Sequence, residues 1–207
     1  MTPSDVAASF PNVSRETFEA LKGYAALLIK WNRTINLVAP GTIPDLWGRH
    51  ICDSLQLLGH IPPNANRLLD IGSGAGFPGL VLAIAMRNLP QAPHVILLDS
   101  DTRKCEFLRT ASREAGVAPT IMINRVEDAS PLGCDVLTAR AVAPLIALLG
   151  HANRHLVPGG TALFLKGGAI SEELADARLQ WRFTHERHSS LTNPEAEILK
   201  IGEIDRV

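Results

Sequence analysis

The sequence predicts an α/β fold with a mostly parallel sheet, a C-terminal antiparallel hairpin and a short helical extension at the N-terminus. Between residues 67 and 180, apolar segments of strand length alternate with segments of helix length. This alternation is typical of a parallel sheet with helices on both faces. Residues 181–188 and 196–204 instead follow one another as two strand-like segments with no helix between them. The tail therefore predicts a closing hairpin.

The N-terminal 62 residues are predicted to form a helical extension packed on a core of residues 63–207. Residues 14–32 place apolar side chains on one face of a helix, and Ser14 is a suitable N-cap. Residues 43–59 form a second amphipathic segment, which Pro62 and Pro63 follow. We therefore expect two helices before the first strand.

Within the core, each predicted strand is a run of apolar residues, as in buried parallel sheets. The predicted strands are residues 67–71, 94–99, 120–124, 134–139 and 161–166. The predicted helices are residues 78–88, 102–115, 144–156 and 171–180. A chain of 207 residues is long enough to bury an α/β core of this size.

A glycine-rich turn follows the first predicted strand, which ends near Asp70. Gly72, Gly74 and Gly76 stand at alternate positions, and glycine lets a ligand approach the backbone closely. The dinucleotide fingerprint requires a glycine where this chain has Phe77, which disfavours a pyrophosphate ligand. The pattern resembles motif I of the class I S-adenosylmethionine-dependent methyltransferases, which have a Rossmann-like sheet. A purely structural glycine turn is the alternative.

The second predicted strand ends in Asp99, about 20 positions after the glycine turn. A carboxylate at this point of a doubly wound fold can accept hydrogen bonds from both ribose hydroxyls. NAD-dependent enzymes share this feature, so Asp99 does not identify the cofactor by itself. Its structural alternative is to cap the helix predicted over residues 102–115.

Polar residues also close the third predicted strand, at the same edge of the sheet. Arg125, Val126, Glu127 and Asp128 follow its last apolar residues. The Val126–Glu127 pair can offer an acceptor to the adenine amine and a backbone N–H to the ring edge. A charged loop that only solvates the strand end is the alternative.

The segment that leaves the fourth strand, residues 134–145, is where a methyl acceptor would lie. Enzymes for exocyclic amines usually carry Asn/Asp-Pro-Pro-Tyr/Phe here, and cytosine-C5 enzymes carry a cysteine nucleophile near a proline. This segment has neither: Arg140 stands in an alanine-rich exit, and Cys134 begins the strand at its other end. The pattern favours an acceptor with a lone pair and no proton to remove, such as guanine N7, for which positioning matters most.

Further segments carry a more specific pattern. They are Asn36-Leu-Val, Arg49-His-Ile-Cys-Asp-Ser54, the Phe-Pro-Gly that ends the glycine loop at Gly79, Leu98-Asp-Ser-Asp-Thr-Arg-Lys104, Asn124-Arg-Val-Glu127, Thr138-Ala-Arg-Ala141 and Leu165-Lys-Gly-Gly168. Together they resemble the RsmG (GidB) family of bacterial 16S ribosomal RNA guanine-N7 methyltransferases. The resemblance runs from about residue 14 to the end and is weakest in the hairpin.

The resemblance also implies roles for individual residues. S-adenosylmethionine would contact Gly72, Phe77, Val126, Glu127 and Arg140, with Asp99 at its ribose. The guanine or the RNA backbone would lie near Arg49, His50, Asp53, Arg125 and Lys166. Arg140 would position the cofactor or the guanine for methyl transfer, and the family implies no general base.

Each charged residue of this set also has a structural alternative. His50 can be a packed histidine of a helix, and Asp53 can pair with Arg49 at i, i+4 spacing. Alternative ion pairs would join Arg125 or Arg140 to Glu127 or Asp70.

The composition is that of a globular protein rather than a general nucleic-acid binder. The net charge is −1, so RNA contact must come from a local basic patch. The three cysteines are not spaced as metal ligands and suggest a reducing cytosol. No apolar run reaches the ~20 residues of a membrane span. We expect a cytoplasmic monomer without a metal, whose partner is 16S ribosomal RNA or the small ribosomal subunit.

Three other functions stay open. The chain could be a non-catalytic RNA-binding or ribosome-assembly module on the same fold, although its glycine loop is intact. It could also be a small-molecule or protein methyltransferase. An NAD oxidoreductase is the remaining alternative.

Overall fold

The computed structural model describes residues 1–140, 143–168 and 170–207. Its centre is a seven-stranded sheet of order β3-β2-β1-β4-β5-β7-β6. The strands are β1 (Arg67–Ile71), β2 (His94–Asp99), β3 (Thr120–Ile123), β4 (Cys134–Arg140), β5 (Leu156–Lys166), β6 (Trp181–Ser189) and β7 (Glu197–Arg206). Strand β7 is antiparallel to both of its neighbours, and the other pairs are parallel. The predicted fold class is thereby confirmed.

Helices cover both faces of the sheet. They are α1 (Pro3–Ser9), α2 (Arg15–Trp31), α3 (Asp53–Leu55), α4 (Gly79–Met86), α5 (Thr102–Glu114), α6 (Leu145–His155) and α7 (Ile170–Arg178). Successive strand residues point to opposite faces, so Leu68 joins one apolar cluster and Leu69 the other. This two-sided burial is why β1 and β2 consist mainly of apolar residues.

The N-terminal extension shares its apolar core with one face of the sheet. Phe18 and Leu21 of α2 belong to the same cluster as Leu80 of α4 and Leu108 of α5. Ser14 caps α2, because its hydroxyl accepts a hydrogen bond from the Thr17 amide at 3.2 Å. Helix α2 and the strand and helix predictions of the core agree with the structure to within a few residues, apart from β5, which starts at Leu156.

Residues 40–60 differ from the second helix that the sequence predicted. They form a 3-10 turn over Pro40–Asp45, a π-helical turn over Trp47–Cys52, the short α3 and another 3-10 turn over Gln56–His60. Proline interrupts helical hydrogen bonding within this segment at Pro44. Gly48 leaves room for the Asp45 carboxylate there, because a Cβ would lie 2.6 Å from its Oδ1 and the carboxylate would have to move. The amphipathic pattern was correct in burial but wrong in helix type.

Helix α1 was not predicted, although the sequence carries its signal. Thr2 and Asp5 form a capping box in which each side chain binds the other residue's backbone amide. Pro3 occupies the start of the helix, as expected for the first helical turn.

Candidate active site

An open cleft of about 830 Å³ lies at the carboxyl ends of the central strands. Its walls come from residues 37–53, the glycine loop 72–77, the end of β5 at 165–168 and the β6–β7 loop with the start of β7 at 192–197. Eight of the predicted site residues line it, namely Arg49, His50, Asp53, Gly72, Gly74, Phe77, Arg140 and Lys166. A cleft at the carboxyl ends of the strands is where doubly wound folds bind their ligands.

The glycine loop contains two kinds of glycine. Gly74 has φ +56°, and a Cβ there would meet only the Gly72 carbonyl oxygen, at 3.7 Å. Gly76 has φ +100°, and a Cβ there would lie 2.7 Å from Cβ of Leu80. Packing alone therefore explains Gly76, whereas the space beside Gly74 is open to a ligand. A cofactor contact by Gly76 stays a prediction.

Asp99 ties the glycine loop to the end of β2. Its Oδ2 accepts a hydrogen bond from the Gly74 amide, and its Oδ1 accepts one from the Asp101 amide, both at 2.8 Å. Asp101, rather than Asp99, caps α5, since its side chain accepts from the amides of Arg103 and Lys104. The N-cap alternative for Asp99 is therefore wrong. Each Asp99 oxygen keeps acceptor capacity that suits a ribose hydroxyl.

Tyr24 of α2 holds the glycine loop from the other side, which the sequence analysis missed. Its hydroxyl donates a buried hydrogen bond of 2.6 Å to the Ala75 carbonyl. Its ring packs edge-on against Phe77, with the centroids 5.6 Å apart. Tyr24 is the only tyrosine of the chain, and it lies three residues after Leu21 on the apolar face of α2. A polar hydroxyl on a buried helix face is the sequence signal that could have predicted its role.

Arg140 is the centre of the cleft's polar contacts. Its Nη1 donates to the Arg49 carbonyl at 2.9 Å, and its Nη2 lies 2.7 Å from Nδ1 of His50. Its Nη1 also lies 3.6 Å from Oδ2 of Asp53, and its guanidinium sits 4.9 Å from the Phe77 ring centroid. Asp53 is therefore the ionic partner of Arg140, in place of the Glu127 or Asp70 that the sequence alternatives offered.

His50 supports this arrangement as a neutral side chain. Its ring stacks on Phe77 with centroids 4.9 Å apart, and its Nε2 lies 2.9 Å from Oγ1 of Thr42. The Thr42 hydroxyl donates to the Ala39 carbonyl, so its oxygen accepts from Nε2–H, and Nδ1 accepts from Arg140. Burial and the charge of Arg140 lower the pKa of His50 to about 4.

Asp53 is a partly buried carboxylate whose pKa is subject to opposing influences. Burial raises its pKa above the ordinary value, while Arg140 and a hydrogen bond from Thr192 act in the opposite direction. Its side chain is 14% exposed and that of Arg140 is 17% exposed, so water screens the pair only weakly.

The other predicted cations differ in how far their charge is compensated. Nζ of Lys166 lies 2.7 Å from Oε2 of Glu173 and donates to the Ala143 carbonyl at 3.3 Å. The side chain of Arg49 is exposed at the cleft, and that of Arg125 is exposed after β3. Lys166 therefore enters the site as half of an ion pair.

Gly76, Asp99 and residues 125–127 do not line the cleft itself. Residues 124–127 continue from β3 beside the end of β2, where the Asn124 amide donates to the Asp99 carbonyl at 3.2 Å. Val126 is buried, whereas Arg125 and Glu127 are exposed. This stretch adjoins Asp99 and, through it, the glycine loop. Residues 141 and 142, in the alanine-rich exit of β4, lie outside the described residues.

Cys134 lies at the amino end of β4, as the sequence predicted. It is buried, its thiol donates to the His155 carbonyl at 3.1 Å, and burial raises its pKa to about 12. It is therefore unsuited to act as a nucleophile in the cleft. Within the described ranges, none of the helices is long and apolar enough to cross a membrane.

Solved structures define the class of the fold. The chain is similar to a T. thermophilus 16S rRNA N2 G1207 methyltransferase (RsmC), in complex with AdoMet and guanosine, with TM-score 0.54 and 16% identity over 75% of this chain and 40% of that one. It is also similar to a ribosomal protein L11 methylase from Lactobacillus delbrueckii subsp. bulgaricus, with TM-score 0.56 and 17% identity over 74% and 78% of the two chains. The fold is that of the class I S-adenosylmethionine-dependent methyltransferases.

The family follows from sequence relatives. The model of the GidB family, rRNA small subunit methyltransferase G, matches residues 17–201. The Ribosomal RNA small subunit methyltransferase G of Paramagnetospirillum magneticum is 51% identical over 94% of this chain and 92% of its own length. That of Rhodospirillum rubrum is 46% identical over the whole of both chains. The chain belongs to the rRNA small subunit methyltransferase G family.

Gly74→Val is expected to weaken S-adenosylmethionine binding by at least about tenfold, because a branched side chain disfavours positive φ and fills the open space. Gly116→Val is the matched control, since Gly116 also has positive φ with nothing within 4 Å. In calorimetric titration, Gly116→Val should bind S-adenosylmethionine with wild-type affinity, although its loss of Tm should be similar to that of Gly74→Val. Equal affinity in both variants would contradict a ligand role for Gly74.

Tyr24→Phe removes only the hydroxyl that binds the Ala75 carbonyl. Leaving that buried acceptor unpaired should cost about 1–2 kcal/mol, a fall in Tm of roughly 2–8 °C, and should weaken cofactor binding. Ser112→Ala is the control, because the buried Ser112 hydroxyl makes no hydrogen bond within the described part of the chain. Thermal melts in which both variants lose the same stability would contradict the anchoring role.

Proposed function

We propose that this protein transfers a methyl group from S-adenosylmethionine to N7 of a guanine in 16S ribosomal RNA. Membership of the small-subunit methyltransferase family supports the reaction class and the substrate class. The observation that carries the guanine-N7 assignment is the set of contacts around Arg140, in which His50 and Asp53 are engaged with the guanidinium. The other carboxylates among the described cleft residues, Asp45, Glu173 and Glu197, are paired with the N-terminal ammonium, Lys166 and Arg187. Each of these base-like groups is therefore engaged with another group rather than free to remove a proton.

The cofactor contacts divide between the two parts of the site. Gly72, Gly74 and Asp99 would hold the ribose side, and Val126 with Glu127 would hold the adenine beside it. Phe77 and Arg140 would border the reacting end, where the cleft opens. S-adenosylmethionine supplies an electrophilic methyl group when it is bound. The open Cβ direction at Gly74 and the spare acceptor capacity of Asp99 fit this ligand.

A guanine N7 acceptor asks little of the protein beyond orientation. N7 carries a lone pair and no proton, so holding it in line with the methyl group is the main task. Such positioning is worth up to about 7–11 kcal/mol in ideal cases. Arg140 is proposed to provide it, because its guanidinium is held by hydrogen bonds to Arg49 and His50 and by the Phe77 ring face, with Asp53 as a looser ionic partner.

Charge compensation supports the same proposal. Both the sulfonium of the cofactor and N7-methylguanine are cationic, so a bare cation beside them would oppose binding and product formation. Asp53 offsets the charge of Arg140, and Glu173 offsets that of Lys166. The cleft can therefore use these side chains as hydrogen-bond donors without a strong excess of positive charge.

We propose that Arg49 and Arg125 contact RNA phosphates, because both side chains are exposed beside the site. His50, Asp53 and Lys166 line the same cleft and would shape the guanine pocket. The small-subunit substrate supports a cytoplasmic location, with residues 1–62 as the extension and 63–207 as the catalytic core.

A deletion strain tests the proposed function directly. Small-subunit RNA from that strain should lack one N7-methylguanine, detected as a lost chain-cleavage stop in primer extension, and the purified protein should restore it in vitro. If a variant that cannot bind the cofactor restored the methyl group when expressed in the deletion strain, where another enzyme could transfer it, a non-catalytic assembly module would be favoured instead.

Arg140→Ala should lower methyl transfer by about a hundredfold or more, since it removes the group proposed to orient the reactants. Arg140→Lys should recover little activity, because an ammonium cannot reproduce the planar contacts. Tritium incorporation into small-subunit RNA measures both, and Arg182→Ala on β6 is the exposed arginine control. A parallel collapse of Tm and activity would make Arg140 structural.

Binding of RNA should weaken steeply as salt rises, because phosphate contacts release counterions. Arg49→Ala and Arg125→Ala should each reduce the slope of log K against log salt by about 1. Filter binding at several salt concentrations measures the slope, again with Arg182→Ala as control. A slope unchanged by either substitution would overturn the phosphate assignment.

A further inference from the structure

The loop between β6 and β7 is joined to the N-terminal segment by a buried glutamine. Gln56 is 7% exposed, and its Nε2 lies 2.8 Å from Oδ1 of Asp53 and 3.2 Å from Oγ of Ser190. Its Oε1 accepts from the Leu191 amide at 2.9 Å. One amide group therefore connects two segments 134 residues apart.

Thr192 of the same loop contacts the Arg140 partner directly. Its hydroxyl donates to Oδ1 of Asp53 at 3.0 Å, so Gln56 and Thr192 share that oxygen. The other oxygen, Oδ2, faces Nη1 of Arg140 at 3.6 Å. Both ends of the carboxylate are thus occupied, one by the loop and its glutamine anchor and the other by the arginine.

Because Asp53 and Arg140 are 3.6 Å apart, the two hydrogen bonds to Oδ1 of Asp53 become important for the orientation of the pair. At 3.6 Å, Oδ2 attracts the guanidinium but does not lock it through a short hydrogen bond. The rotation of the carboxylate is set by the two donors on Oδ1. Moving those donors would turn Oδ2 and so change the field at Arg140.

The Thr192 hydroxyl is not needed to close the hairpin. The Ser190 amide donates to the Ala196 carbonyl, and the Ala196 amide to the Asn193 carbonyl, both at 3.0 Å. The ladder between β6 and β7 pairs Ser189 with Glu197 immediately before them. These backbone bonds remain when the hydroxyl is removed, although the hydroxyl also lies 3.0 Å from Oγ of Ser190 within the loop. Its hydrogen bond to Asp53 is therefore additional to the closure of the hairpin.

We propose that Thr192 and Gln56 are positioning residues that orient Asp53, and through it Arg140, for methyl transfer. The proposal rests on the role given to Arg140 under the proposed function. Thr192 also lines the cleft, and its hydroxyl donates to Asp53, the ionic partner of Arg140. The β6–β7 loop would therefore both contact the methyl acceptor and orient Asp53. The methyl-transfer site thereby depends on the conformation of the β6–β7 loop.

The test compares Thr192→Val, which loses the hydroxyl at nearly constant shape, with Thr192→Ser, which keeps it. A hydrogen bond to a charged group contributes enough free energy that its loss in Thr192→Val should lower kcat by about tenfold. Thr192→Ser should restore most of the lost kcat, while the KM for S-adenosylmethionine should change by less than about twofold. Thr184→Val, an exposed position of the same hairpin, should match wild type.

A double-mutant cycle with Asp53→Asn separates positioning from a general effect. If Thr192 acts through Asp53, Thr192→Val should add little to the loss that Asp53→Asn already causes. Additive losses, an inactive Ser variant, or an unchanged kcat for Val would each overturn the proposal. Gln56→Leu should behave as Thr192→Val does, and its Tm reports any loss of loop docking.

Kinetics are followed as tritium transfer to small-subunit RNA, and the modified atom is mapped separately. Transfer to another atom would overturn guanine N7 as the acceptor, while the Val and Ser variants would still test the positioning role on the observed reaction. Normal guanine-N7 transfer that is insensitive to Thr192→Val would overturn only the positioning role.

Discussion

The structure depends most on the burial of one charge, the guanidinium of Arg140 at the end of β4. A largely buried guanidinium is costly unless acceptors and a counter-charge surround it. The sheet provides the strand, but the acceptors come from Arg49, His50 and Asp53 of the N-terminal segment. The glycine loop adds the face of Phe77. That segment therefore supplies the acceptors around Arg140 as well as part of the cleft wall.

The sheet was predictable because its signals are local. Strands buried on both faces are rich in apolar residues, and β1 and β2 end at Ile71 and Asp99, where the predicted segments end. Residues 40–60 were harder, since burial repeats at helical spacing in 3-10, π and α turns alike. Pro44 interrupts the hydrogen bonding of this segment, and Gly48 leaves room beside the Asp45 carboxylate, and neither effect is visible in the hydrophobic periodicity.

The site was predictable as a set of residues but not as a set of contacts. Motifs at the strand ends pointed to Gly74, Asp99 and Arg140, because parallel strands bring their carboxyl ends to one edge. The partners Tyr24 and Thr192 carry no motif, and each reaches its target across a long stretch of chain. Such contacts depend on how the extension and the hairpin sit on the sheet, which no local pattern encodes.

Charge pairing reconciles a near-neutral chain with an RNA substrate. Two cations of the cleft are held against carboxylates, Arg140 with Asp53 and Lys166 with Glu173, so these pairs add little net charge to it. Arg49 and Arg125 remain exposed beside it, where phosphates would pass. This division suits a reaction whose methyl donor and product base are both cationic while its polymer is anionic. A net charge of −1 is then no argument against RNA, because only the local placement of charge matters.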